Sequence, residues 1–220
     1  MSAAARAAAL RRADPARTAA IRSTVSAVIV EAVGSAGASG VVVLDDWTPE
    51  GELTYEWLVA ALDETRVWRG ASLASNVHGV ELDRADAQVL AISRFIRLQG
   101  GLIAHPSSKT VLLLGGPLPH ADLFPLGDLY ASQVAQLAGG WSMPEELAGI
   151  VTRAGGLNAL DAALARLVDG REVAPAALAG LAGDVADEVM RLYGRGRYHR
   201  RRPWLVPKLG PRTLGVDLFD

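Results

Sequence analysis

GVVVLDDWTPEGELTYEWLVAAL, residues 40–62, decides the fold class. The short apolar run 41–44 suits a strand buried on both faces. Thr48 and Pro49 read as an N-cap followed by proline in the first helical position. Leu53, Trp57, Leu58, Ala61 and Leu62 then recur at helical spacing. A strand feeding a helix N-terminus is where α/β proteins hold phosphates, because backbone N–H groups and the helix dipole point at the ligand. Here that place carries Asp45, Asp46, Glu50 and Glu52 together with Trp47 and Pro49. The charges are of the wrong sign for a phosphate.

Working outward, Ile21, Val25, Val28, Ile29 and Val33 predict an amphipathic helix over 18–34, stopped by GSAGASG. Residues 66–69 form a candidate second strand. Val89, Ile92, Phe95 and Ile96 share one side of a helix over 84–98, and residues 101–104 are strand-like. Asp128 is the expected cap of LYASQVAQLA, and Pro144 opens a short helix. Leu157, Leu160, Leu164 and Leu167 mark another, and one more is expected over 175–193. The alternation predicts one α/β domain, a parallel sheet with helices on both faces. It would span 18–220, with a basic C-terminal tail and a flexible or helical N-terminal extension over 1–17.

Half of the 220 residues are apolar, 21% are charged, and the formal net charge is −2. That composition supports a full core and gives no general affinity for nucleic acid or acidic membranes. With no cysteine, disulfides, thiolate metal sites and a cysteine nucleophile are excluded. No apolar stretch is long enough for a transmembrane helix. MSAAARAAALRRADPARTAA has the Arg-rich, acid-poor look of a transit peptide, but a frayed N-terminal helix is the favoured reading. The default expectation is cytoplasmic. Charge is polarised: residues 40–64 hold seven acids and no base, whereas 191–216 hold eight bases and no acid.

RADAQVLAISRFIRLQGGLIAHPSSKTVLLLGG, ADLFPLGDLYASQV and the ending YHRRRPWLVPKLGPRTLGVDLFD carry a resemblance. In order and motif they are similar to the ammonia-dependent NAD synthetases of the PP-loop ATP pyrophosphatase superfamily. The resemblance implies a Rossmann-related parallel sheet, usually in a homodimer. It also implies ATP- and magnesium-dependent adenylylation of deamido-NAD, with ammonia then displacing AMP. Such chemistry needs a backbone cradle for pyrophosphate, a divalent metal, and cations placed in line.

Carried over position by position, the machinery is thin. The family's S-G-G-x-D-S loop is replaced by Asp45, Asp46, Trp47, Thr48 and Pro49, and Pro49 has no N–H to donate. One carboxylate about 4 Å from a phosphate charge costs roughly 4 kcal/mol at an effective dielectric near 20. The family's magnesium-binding glutamate falls on Val111, its threonine on Pro106, and the lysine of its D-L-Y-K element on Ala131. Its Lys-Pro-Ser segment is reduced to TRAGG. Lys109, Ser107, Ser108 and Asp122 remain as the nucleotide-binding candidates. Asp122, Pro125, Asp128 and Tyr130 also suit a turn and cap, and Leu126, Val134 and Leu137 suit the core.

No catalytic residue and no metal site are therefore expected, with Asp45 and Asp46 the weak candidates for a cation. ATP and Mg2+ would be the cofactors if activity survives. The expectation is a dimeric pseudoenzyme, a homodimer or a heterodimer with an active NAD synthetase. Its acidic loop would face a basic surface, such as the chain's own tail. An active synthetase with a rebuilt nucleotide site and a nucleotide-sensing module are the alternatives. His105 and His120 could meet a phosphate beside Lys109, and His78 has no metal-ligand spacing to another histidine. The basic-aromatic tail around Tyr198 and Trp204 resembles single-strand nucleic-acid binders, but the synthetases share such an ending. No Walker loop, dinucleotide fingerprint or nucleophile elbow is present.

Overall fold

The computed structural model describes residues 15–44, 47–75, 84–115, 121–200 and 205–209. Expectations that fall on Asp45, Asp46, His78, His120, Trp204 and the far end of the tail lie outside the described residues.

Helix α1 (Pro15–Ser35) buries Val25, Ile29 and Val33, one face at four-residue spacing. Strand β1 (Val41–Val43) follows and is buried throughout. Its side chains alternate. Val41 and Val43 pack with α1 and α2 (Pro49–Leu62), while Val42 joins Ile103, Leu112 and Phe124 on the opposite face. Period-2 alternation in a strand apolar at every position places a hydrophobic layer on each side of the sheet. Gly40 opens β1 because a methyl group there would run into the Trp68 ring and the Arg66 carbonyl.

After α2 comes a single 3-10 turn (Glu64–Arg66), then β2 (Val67–Arg69), α3 (Gly70–Ser75), α4 (Arg84–Gln99) and β3 (Leu102–Ala104). The sheet order is β2-β1-β3, all parallel, with Val42 opposite both Trp68 and Ile103. Isolated parallel bridges from Ala104 to Leu123 and from Leu123 to Leu205 continue it by two single-residue strands. Because β1 is central, the chain first winds one way to β2 and then the other way to β3. That reversal creates a crevice at the strands' carboxyl ends, where open α/β sheets take ligands.

The remaining helices are α5 (Lys109–Leu114), α6 (Ala131–Ala138), α7 (Glu145–Arg153), α8 (Leu157–Val168), α9 (Ala174–Ala177) and α10 (Gly183–Arg200). Helices α1, α2 and α6 cover one face, and α4, α5, α7, α8 and α10 cover the other. The expected α/β fold with helices on both faces is what forms.

Two expectations are corrected. The helix expected over 175–193 is two helices, α9 and α10, parted by a turn in which Leu181 N–H bonds Leu178 C=O. Gly180 and Gly183 weaken helix there. Asp128 does not cap α6: the cap residue is Tyr130, whose N–H is accepted by Gln133 Oε1 at 2.9 Å. Asp128 is instead drawn inward by a buried ammonium. Among the described residues no helix is long and apolar enough to cross a membrane.

Candidate functional site

At the carboxyl end of β1, Thr48 and Pro49 take the roles expected of them. Thr48 Oγ1 accepts from Gly51 N–H at 3.0 Å and Pro49 opens α2, so the helix start is capped from within. The nearby acids also serve internal partners. Glu50 is buried, and its Oε2 accepts from Ser142 N–H at 3.1 Å. Glu52 makes a two-pronged pair with Arg69 at 2.7 and 2.8 Å, and the Arg69 guanidinium lies 3.7 Å over the Tyr55 ring. Arg69 ends β2, so this clamp ties α2 to the neighbouring strand. Glu50 and Glu52 thus have partners within the chain, at Ser142 and Arg69.

The segment after β3 carries three of the four residues expected to meet a nucleotide, Ser107, Ser108 and Lys109, while Asp122 lies beside Ile103 within the sheet. Ser107 Oγ lies 2.7 Å from His105 Nδ1, both buried. Ser108 is the N-cap of α5, its Oγ accepting weakly from Val111 N–H at 3.5 Å. That cap turns the apolar stretch 111–114, compatible with strand or helix by composition, into a helix. Asp122 Oδ2 accepts from Ile103 N–H at 2.8 Å, stitching the first single-residue strand to β3.

Lys109 is the deepest of the four. Its Nζ donates to Asp128 Oδ1 at 3.0 Å and to Asp169 Oδ1 at 2.7 Å. The side chains of Lys109 and Asp128 are fully buried, and that of Asp169 is 17% exposed. The other oxygens are also engaged: Asp128 Oδ2 accepts from Leu209 N–H at 2.7 Å, and Asp169 Oδ2 from the Tyr130 hydroxyl at 2.9 Å. The Tyr130 ring lies 5.2 Å from the ammonium. Burial, and then the negative charge of Asp169, push the Tyr130 phenol far above its ordinary range.

Another buried carboxylate stands at the start of α6. Asp161, on α8, accepts from Thr110 Oγ1 at 2.6 Å and from Ser132 N–H at 2.7 Å, while Thr110 Oγ1 accepts from Ala131 N–H at 2.9 Å. Orphan N–H groups of one helix are thus satisfied by side chains from two others. Burial raises the Asp161 carboxyl above its ordinary 3.8, partly countered by the bonds from Thr110 and Ser132. Sequence reading named neither Asp161 nor Asp169. They lie 51 and 60 positions from their partners on α5, and no local motif marks them.

A shallow cleft of about 520 Å³ lies on the surface between α6 and the start of α8, lined by Ser132, Gln133, Gln136, Leu157 and Asn158 among others. Its lining is uncharged and includes none of the four candidate residues. Among the described residues, no group of three or more His, Asp or Glu side chains could hold a metal ion.

The chain is 28% identical over 151 residues to an NH(3)-dependent NAD(+) synthetase from Chlorobium phaeobacteroides (strain BS1), a match covering 60% of this chain and 54% of that one. It thus spans about half the length of the curated relative it matches. A glutamine-dependent NAD+ synthetase from Acinetobacter baumannii, solved with ADP, superposes with a TM-score of 0.44 at 16% identity. That superposition covers 88% of this chain and 47% of the other. No protein-family profile matches the chain. Over those 151 residues the chain is similar to an ammonia-dependent NAD synthetase.

Proposed function

We propose that this chain is a non-catalytic NAD synthetase-like subunit, cytoplasmic, working as a homodimer or beside an active synthetase whose stability or output it alters. The observation that carries this reading is the state of the sheet's carboxyl edge. Where a triphosphate would need open N–H groups, α2 begins with Pro49 and a self-satisfied Thr48 cap. The one lysine on α5 donates to two carboxylates of the same chain. The position matching the family's magnesium-binding glutamate is Val111, whose side chain packs against the core. The described residues do not fit Mg2+-ATP as the family holds it. In this reading Ser107, Ser108, Lys109 and Asp122 keep the edge in shape and do not grip a nucleotide.

The second reading is an active ammonia-using synthetase, favoured by the 151-residue similarity to such an enzyme. One experiment separates the two. Purified protein is incubated with ATP, Mg2+, deamido-NAD and ammonia, and NAD is measured by an enzymatic cycling assay. Our reading expects no NAD above a no-protein control; NAD formed in proportion to protein concentration would refute it.

A further inference from the structure

We propose that the outer face of α1 is a self-recognition surface, on which a second copy of this chain lays its own α1 in antiparallel register. The buried face of α1 is Val25, Ile29 and Val33. A helix buried on one side ordinarily carries charges on the other. Here the outward residues Ala16, Ala20, Ser23, Ala27, Val30 and Gly34 are small or apolar, and all are exposed, Val30 to 49%. Their spacing is 4-3-4-3-4, the heptad interval at which two helices stay in contact along their length. Small side chains let the two backbones approach closely, over a seam of about 27 Å.

Charge decides what covers this face. Arg17, Thr24 and Glu31 flank the seam on one side at successive heptad positions, and all are exposed. Among the described residues neither Arg17 nor Glu31 has an ion pair or a side-chain hydrogen bond. About 21 Å of helix separates them, so they do not meet within one chain. In an antiparallel pair with its two-fold axis at Thr24, Arg17 of each copy comes opposite Glu31 of the other. Thr24 brings no unpaired hydroxyl to the axis, because its Oγ1 donates to Ala20 C=O at 3.1 Å. The same register sets Ala16 against Gly34, Ala20 against Val30, and Ser23 against Ala27. Val30 then falls beside the other copy's groove of about 470 Å³ between α1 and α2, lined by Ala19, Ser23, Ser26 and Ala60 among others. A parallel pair would bring like charges to the same level, which disfavours it.

This interface gives the homodimer of the proposed function its contact surface and rests on that arm of it. Association is measured without substrate, so NAD formation would refute the non-catalytic reading and leave the interface standing. Full-length wild type, Arg17→Glu, Glu31→Arg, the variant with both changes, and Ala27→Glu are compared by sedimentation velocity over a concentration series at low ionic strength. Far-UV circular dichroism checks that each is folded. Wild type should dimerise. Each single charge reversal should weaken dimerisation about tenfold, because it turns two symmetry-related attractions into repulsions. Both reversals suit the helix dipole, an acid toward the N-terminus of α1 and a base toward its C-terminus, so a melted helix does not account for the loss. The doubly reversed variant should return to within about threefold of wild type, since opposite charges meet again. Ala27→Glu should leave a monomer, because it thickens the seam where the helices come closest. A monomeric wild type would overturn the proposal, as would single reversals that the double variant does not rescue. A wild-type dimer indifferent to the single reversals and to Ala27→Glu would also overturn it, with the homodimer then held by another face.

Discussion

Lys109→Met isolates the energetics of the buried ion cluster. The ammonium faces carboxylates at 3.0 and 2.7 Å, each worth about 5 to 6 kcal/mol of Coulomb attraction at an effective dielectric near 20. Desolvation of all three charges cancels much of that, so the attraction is not a net contribution. Removing the cation alone is different, because the desolvation already incurred by the carboxylates stays. Asp169 can turn toward water. Asp128 cannot, and keeps Leu209 N–H among its donors. Losing one partner of such a pair costs about 3–5 kcal/mol, which for a chain of this length lowers Tm by roughly 6–20 °C. Adding Asp128→Asn to Lys109→Met removes the stranded charge and should recover most of the loss. Thermal and urea unfolding, followed by tryptophan fluorescence, measure both variants. A Tm within about 3 °C of wild type for Lys109→Met would refute the reasoning.

Three further outcomes concern two groups whose ionisation the fold alters. With its phenol held far above the ordinary 10 by burial and by Asp169, Tyr130 should not ionise between about pH 9 and about pH 11. Phenolate absorbance over that range should be the same in wild type and Tyr130→Phe, and a smaller amplitude in the variant would contradict the assigned environment. Because the folded state keeps this proton longer than the unfolded one, the stability margin of wild type over Tyr130→Phe should narrow above about pH 10. Asp161 is raised chiefly by burial, so the folded chain again holds its proton more tightly than the unfolded chain. Its contribution is full below the ordinary 3.8 and falls as pH rises through the folded value. The melting advantage of wild type over Asp161→Asn should therefore diminish from about pH 4 to about pH 7. An advantage that grows over that interval would reverse the sign of the assigned shift.

Elements whose cause is local were legible from the chain. Val41, Val42 and Val43 form a strand because β-branched side chains fill both faces, and Thr48-Pro49 starts a helix because the cap and the fixed φ stand on adjacent residues. The parallel order followed from strands alternating with helices. What stayed illegible is long-range. Asp128 sits where a cap is expected, yet an ammonium 19 positions back in the sequence outbids the helix for its oxygens. Asp169 and Asp161 carry no pattern that would tie them to α5 or to the start of α6. The partners of Glu50 and Glu52 were hidden for the same reason. Glu50 and Glu52 look like a charge in search of a partner until Ser142 and Arg69 are seen beside them. Sequence reveals which carboxylates exist, and only three-dimensional proximity reveals which are already taken.

The far edge of the sheet has a consequence for how the molecule comes into being. Leu123 is joined by Leu205, with Phe124 N–H bonding Leu205 C=O at 3.0 Å and Leu205 N–H bonding Asp122 C=O at 3.2 Å. During synthesis, the main-chain groups of Asp122 and Phe124 must wait while α6, α7, α8, α9 and α10 emerge before their companion arrives. Through that interval the growing polypeptide presents an unfinished margin to its surroundings, the kind of exposure that invites strand exchange with other copies. A cell making this protein therefore has reason to keep nascent chains apart until Leu205 has left the ribosome and paired.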